Sequence, residues 1–239
     1  MSSLDLESHH FYKPFTATIA GFILPCVNGL ISACSSAVIL HVIRKSQDKF
    51  STTYHRIMGL MSFFDIILSL LFALGTIMMP SDTFYKFAGP TLGNRATCQA
   101  QGWLIIFGFT GSTAMYAALS WYFMLTITFN VKASKIACIF EPVAYLYTFC
   151  QALIGPSVYL SKDLLNPNPY DIFCTIAPYP QSCDEEKWYD WNYCEWAENA
   201  ISDYNFYMNV TINIMLFTFI MIVLGFSVIL WTVFQKNKL

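Results

Sequence analysis

The sequence predicts an all-α, polytopic transmembrane helix bundle of five spans, with the N-terminus outside. Three observations predict it. The 239-residue chain is 56% hydrophobic and only 12% charged, well below the roughly one quarter charged residues of a soluble domain. Residues 14–43, 57–81, 103–130, 142–161 and 204–235 contain no Asp, Glu, Lys or Arg apart from Asp65. Each stretch is long enough for a hydrocarbon core of ~30 Å. The connecting segments alternate in sign: Arg44, Lys45, Lys49, Arg56, Lys132, Lys135, Lys236 and Lys238 lie on one side against Asp48 and Glu141, while the other side is acidic. Short-loop Lys and Arg mark the cytoplasmic face.

The chain then divides into an extracellular N-terminus (1–13), four transmembrane helices with short loops (14–160), a cysteine-containing extracellular loop (161–203), a fifth transmembrane helix (204–234) and the start of a cytoplasmic segment (235–239). Residues 1–13 carry Asp5 and Glu7 and no basic stretch, so they lack the n-region of a cleavable signal peptide. The first span reads as an uncleaved anchor in a multi-pass protein, surrounded by membrane lipids.

In the first span, Pro25 predicts a kink and Asn28 calls for a hydrogen-bonding partner. The second carries Asp65 near its middle. An intramembrane carboxylate costs about 2.5–3.5 kcal/mol on insertion scales, so it should face the bundle interior. Two readings stand side by side: a switch or ion site, or a packing residue paired with Asn28 or with the third helix. That third stretch, Trp103 to Asn130, spans roughly 42 Å as a helix. Gly102, Gly108, Gly111, Ser112, Thr113, Ala114, Ala117 and Ala118 crowd its outer half. Small residues permit close helix approach where lipid supplies no hydrophobic drive, so this is the expected central helix.

The fourth span is expected to open at Glu141-Pro142, where proline suits the first turn and the acid complements the helix dipole. The outer loop carries three cysteines, nine acids and the aromatics Trp188, Tyr189, Trp191, Tyr193 and Trp196. It reads as a folded lid. Trp188, Trp191 and Trp196 suit a ligand entrance, or equally interfacial anchoring. Cys98, Cys174, Cys183 and Cys194 all fall outside, and four cysteines allow three connectivities.

The chain shows no phosphate-binding loop, zinc motif or nucleophile elbow, and its four histidines form no cluster, so neither an enzyme nor a metal or cofactor protein is expected. Nothing points to nucleic acid.

Tyr54-His55-Arg56, Asp65, Gly93-Asn94, Thr97-Cys98, Gln101-Gly102 and Tyr122-Phe123-Met124-Leu125 occur in that order. They are followed by Glu141-Pro142, Asn166-Pro167, Phe173-Cys174-Thr175-Ile176 and Tyr179-Pro180 with Cys183. With these residues the chain resembles the first five helices of a seven-helix G protein-coupled receptor. More narrowly, it is similar to the cyclic-AMP-receptor-like and secretin-like orphan receptors of protists and algae. The resemblance implies a seven-transmembrane receptor-like fold in the plasma membrane and a disulfide from Cys98 to Cys174, leaving Cys183 and Cys194 to pair. It also implies an extracellular ligand, and a heterotrimeric G protein held at Arg56, Thr128, Lys132 and Lys135. The chain departs from better-known receptors at Thr126 to Asn130, which offer no acid and arginine pair. Gln235 to Leu239 read as the opening of a basic third inner loop, so a truncated receptor lacking helices 6 and 7 is expected. The alternative is a five-helix carrier or channel subunit, or a non-signalling regulatory membrane protein.

Overall fold

The computed structural model describes residues 18–83, 87–168, 170–177 and 198–236. Five helices are long and apolar enough to cross a membrane. They are α1 (Ile19–Lys45), α2 (Thr53–Met78), α3 (Arg95–Thr128), α4 (Ala133–Ser161) and α5 (Glu198–Lys236), the last with its membrane-length part at Met208–Gln235.

Polar caps, not the edges of the apolar stretches, set where α1, α2 and α3 begin. Thr18 and Thr52 accept hydrogen bonds from the Gly21 and His55 amides. Asn94 and Thr97 exchange bonds in a capping box. Each cap satisfies donors that a first turn leaves unpaired. Consequently α2 and α3 start before the apolar stretches at 57 and 103.

The central position falls to α3, which packs against α2, α4 and α5, while α1 packs on α2. Of its most apolar stretch 67% is buried, against 17% for α1 and 11% for α5. Gly108, Gly111, Ser112, Ala114, Ala117 and Ala118 are all buried. A Cβ on Gly111 would lie 2.4 Å from the Phe64 ring, so that glycine is what lets α2 come this close. Phe64, Ile57 and Met61 of α2 form one cluster with Met115 and Ala118 of α3 and Ala144 and Ala152 of α4.

Several expectations need correction. Asn28 lies on the exposed face of α1 rather than against Asp65. The contact between α1 and α2 is made instead by Gly29, whose added Cβ would sit 2.5 Å from the Ser69 carbonyl oxygen, and by Ser69 Oγ donating to Ser32 Oγ at 2.8 Å. Helix α4 begins at Ala133, about two turns before Glu141. Helix α5 begins at Glu198, within the segment read as outer loop.

The chain is also not purely helical. Leu165–Asn166 (β1) and Thr175–Ile176 (β2) pair antiparallel, with Leu165 opposite Ile176. Strands this short carry no periodic signal in sequence; their pairing depends on the attachments described below. Cys183, Cys194, Trp188, Trp191 and Trp196 lie outside the described residues.

Candidate functional site

Polar side chains gather at three levels along α3: beside the hairpin, in the middle of the bundle, and at the opposite, basic end.

At the hairpin end, Cys98 and Cys174 form a disulfide with a Cα separation of 5.4 Å. One turn further along α3, Gln101 is fully buried. Its Nε2 donates to the Gly75 carbonyl at 2.7 Å, and its Oε1 accepts from the Cys174 amide at 3.2 Å. Gly75 has φ +48°, a backbone conformation that favours glycine. It lies where α2 tightens into its last, 3₁₀ turn, Gly75–Met78. Nearby, Arg95 pairs with Asp163 at 3.0 Å, and Gln99 Nε2 donates to the same carboxylate at 3.0 Å. The hairpin is thereby fastened to the first two turns of α3.

In the middle, Ser112 Oγ donates to the Asp65 carboxylate. Asp65 therefore reaches α3 at Ser112, one residue past Gly111 and four past Gly108. Asp65 is half-buried there, and the Ser112 hydroxyl gives it one polar partner within the bundle.

At the basic end, Glu141 is buried and accepts from four donors. Arg56 Nε reaches Oε1 at 2.5 Å and Arg56 Nη2 reaches Oε2 at 2.7 Å. Thr53 Oγ1 and the Tyr145 hydroxyl each donate at 2.8 Å. Arg56 also donates from Nη1 to the carbonyls of Phe50 and Ser51, at 3.0 and 2.7 Å, and from Nη2 to Thr53 Oγ1 at 3.3 Å. All its N–H groups are thus engaged within the chain, and its geometry with Glu141 is the two-pronged one that a planar guanidinium favours. The dipole role expected of Glu141 is replaced by this lateral pairing, because the helix starts well before it. Arg56, expected at a partner surface, is engaged with Glu141 while its side chain stays 32% exposed.

Two π-helical turns flank the connection between α3 and α4: Met124–Thr128 and Ile136–Phe140. Between them Phe129 is exposed and Asn130 has φ 49°. Lys132 and Lys135 are exposed. Thr128 Oγ1 lies 3.1 Å from Thr232 Oγ1 of α5.

Sequence reasoning missed the roles of Gln101, Ser112, Thr53 and Tyr145. A signal did exist for two of them: Thr53 and Tyr145 stand three residues before Arg56 and four after Glu141, spacings that put each on one helix face with its charged partner. Gln101 and Ser112 carry no such local mark. No family model matches the chain, and none of the curated proteins matches it.

Proposed function

We propose that this protein is a G protein-coupled receptor-like signalling protein, with the hairpin end outside the plasma membrane and the basic end facing a heterotrimeric G protein. One observation carries the reading: a single central helix is attached at one end to a folded hairpin through Cys98–Cys174 and Gln101, and at the other to α5 through Thr128 and Thr232. A rod fixed to an outer element and packed against three other helices couples events on one face to the other. Asp65, bonded to Ser112 of that rod, is then a switch position in the bundle, and Lys132 and Lys135 present positive charge toward the partner.

The test uses the native protein in lipid nanodiscs with purified heterotrimeric G proteins. Accelerated guanine-nucleotide exchange on at least one G protein is expected. Solute flux through liposomes containing only this protein, with exchange unchanged on every G protein, would instead assign it to the carriers.

A further inference from the structure

We propose that residues 124–140 form a hinged unit at the basic end, and that the Arg56–Glu141 pair is the latch holding it closed. The unit is bounded by the two π-helical turns. Each begins on a buried residue, Met124 and Ile136, and the stretch between and beside them is largely exposed, including Ile127, Phe129 and Ile139. A π turn holds one residue more than an α turn and closes with five-back bonds. Here the Phe129 amide donates to the Met124 carbonyl at 3.4 Å, and the Glu141 amide to the Ile136 carbonyl. Such turns are rare and are found mostly at functional sites; the first closes α3 and the second lies one turn into α4.

The position of Glu141 makes the second turn a switch. It stands immediately after Ile136–Phe140, and its carboxylate is fixed by donors from α2 and from Tyr145. Replacing the π turn by an α turn would rotate the preceding segment by about 100° relative to Glu141. With Glu141 locked to Arg56, that rotation must move the connecting segment rather than α4. Without the lock, α4 is free to take up part of it. The latch also binds Arg56 to the carbonyls of Phe50 and Ser51, so the turn between α1 and α2 is held by the same guanidinium. Within the unit, Met124 and Ile136 add buried apolar packing, and the hydroxyl pair Thr128–Thr232 to α5 is neutral and weaker than a charge-assisted bond. Of these two polar ties the Arg56–Glu141 pair is the stronger, and this device stands independently of the receptor reading.

Hydrogen–deuterium exchange on the full chain in nanodiscs tests it, with residues 105–120 of α3 as the internal reference. In the parent protein, amides of 124–140 should exchange as one unit, faster than the reference. Glu141→Gln and Arg56→Gln should each accelerate that unit by about ten- to a hundredfold, the population change expected when a charge-assisted hydrogen bond is lost. The reference segment should stay unchanged. The exchanged pair, Arg56→Glu with Glu141→Arg, should bring the rate back toward the parent value. Unchanged exchange at 124–140 in both single variants overturns the latch. Should the variants not fold, the parent protein still decides: protection that declines smoothly along α3 and α4, with no break near 124 and 140, overturns the hinged unit.

Discussion

Gln101 and Cys174, separated by 73 residues, are joined by a hydrogen bond from the Cys174 amide to the Gln101 side-chain oxygen, while the Gln101 nitrogen holds the Gly75 carbonyl. One buried amide thus ties the end of α2, the start of α3 and the hairpin. Replacing it with leucine, of similar volume, leaves the Cys174 amide and the Gly75 carbonyl without their partner. The expected cost is about 1–3 kcal/mol for each group, read as a lowered thermal midpoint in detergent. An unchanged midpoint would mean that water or a shifted side chain replaces both bonds.

The disulfide beside it closes a loop across a sequence separation of 76 residues. Removing it as Cys98→Ser with Cys174→Ser should cost about 3–5 kcal/mol in the chain-entropy account. Thermal unfolding with and without reductant measures this, and the double variant should show no further response to reductant at that bond. Non-reducing peptide mapping identifies the bond directly; a fragment joining Cys174 to any cysteine other than Cys98 would contradict the pairing.

Asp65 and Ser112 separate packing from switching. Asp65→Asn keeps the shape and can still accept from Ser112, so folding stability should stay within about 1 kcal/mol of the parent. Asp65→Leu, by contrast, leaves Ser112 without its acceptor. If Asp65 is a switch, Asp65→Asn should alter basal nucleotide exchange while the thermal midpoint holds. Equal exchange in the two proteins would leave Asp65 a packing residue.

The glycine contacts predict where the bundle will not tolerate a methyl group. A Cβ on Gly29 would meet the Ser69 carbonyl oxygen at 2.5 Å and the Ala73 amide nitrogen at 2.8 Å. These are backbone atoms and cannot rotate away. Gly29→Ala should therefore push α1 off α2 at a cost of about 1–3 kcal/mol, with loss of the Ser32–Ser69 bond. Gly155→Ala is the control, since its nearest neighbours lie 3.8 Å or more away, and it should leave the midpoint unchanged or raise it slightly.

Orientation has its own test. Protease added to sealed microsomes should reach residues 161–203 only after the membrane is opened, and the Arg44–Arg56 connection without opening it, as the excess of short-loop Lys and Arg predicts. The reverse pattern would turn the bundle over.

The five spans were legible because hydrophobicity adds up along the chain: a run without charge is long enough or it is not, whatever it packs against. The central place of α3 was legible for a related reason, since Gly108, Gly111, Ala114 and Ala118 suit a helix surrounded by others more than one facing lipid. What the tertiary structure alone decided is which polar group meets which. Asp65 needed an interior partner on energetic grounds, and the choice of Ser112 over Asn28 followed from how α1 and α3 sit around α2. Glu141 read as the acid of a first turn because proline follows it; only the longer start of α4 and the approach of α2 made it the partner of Arg56. Helix ends drifted by several residues because caps such as Thr52 and Asn94 act through one or two local hydrogen bonds, which an apolar-run reading does not see. The hairpin at Leu165 and Thr175 was invisible for a similar reason: two-residue strands carry no period, and they are held by the Asn166 side chain bridging to the Ala177 carbonyl and by attachment to α3 through Cys98 and Gln101.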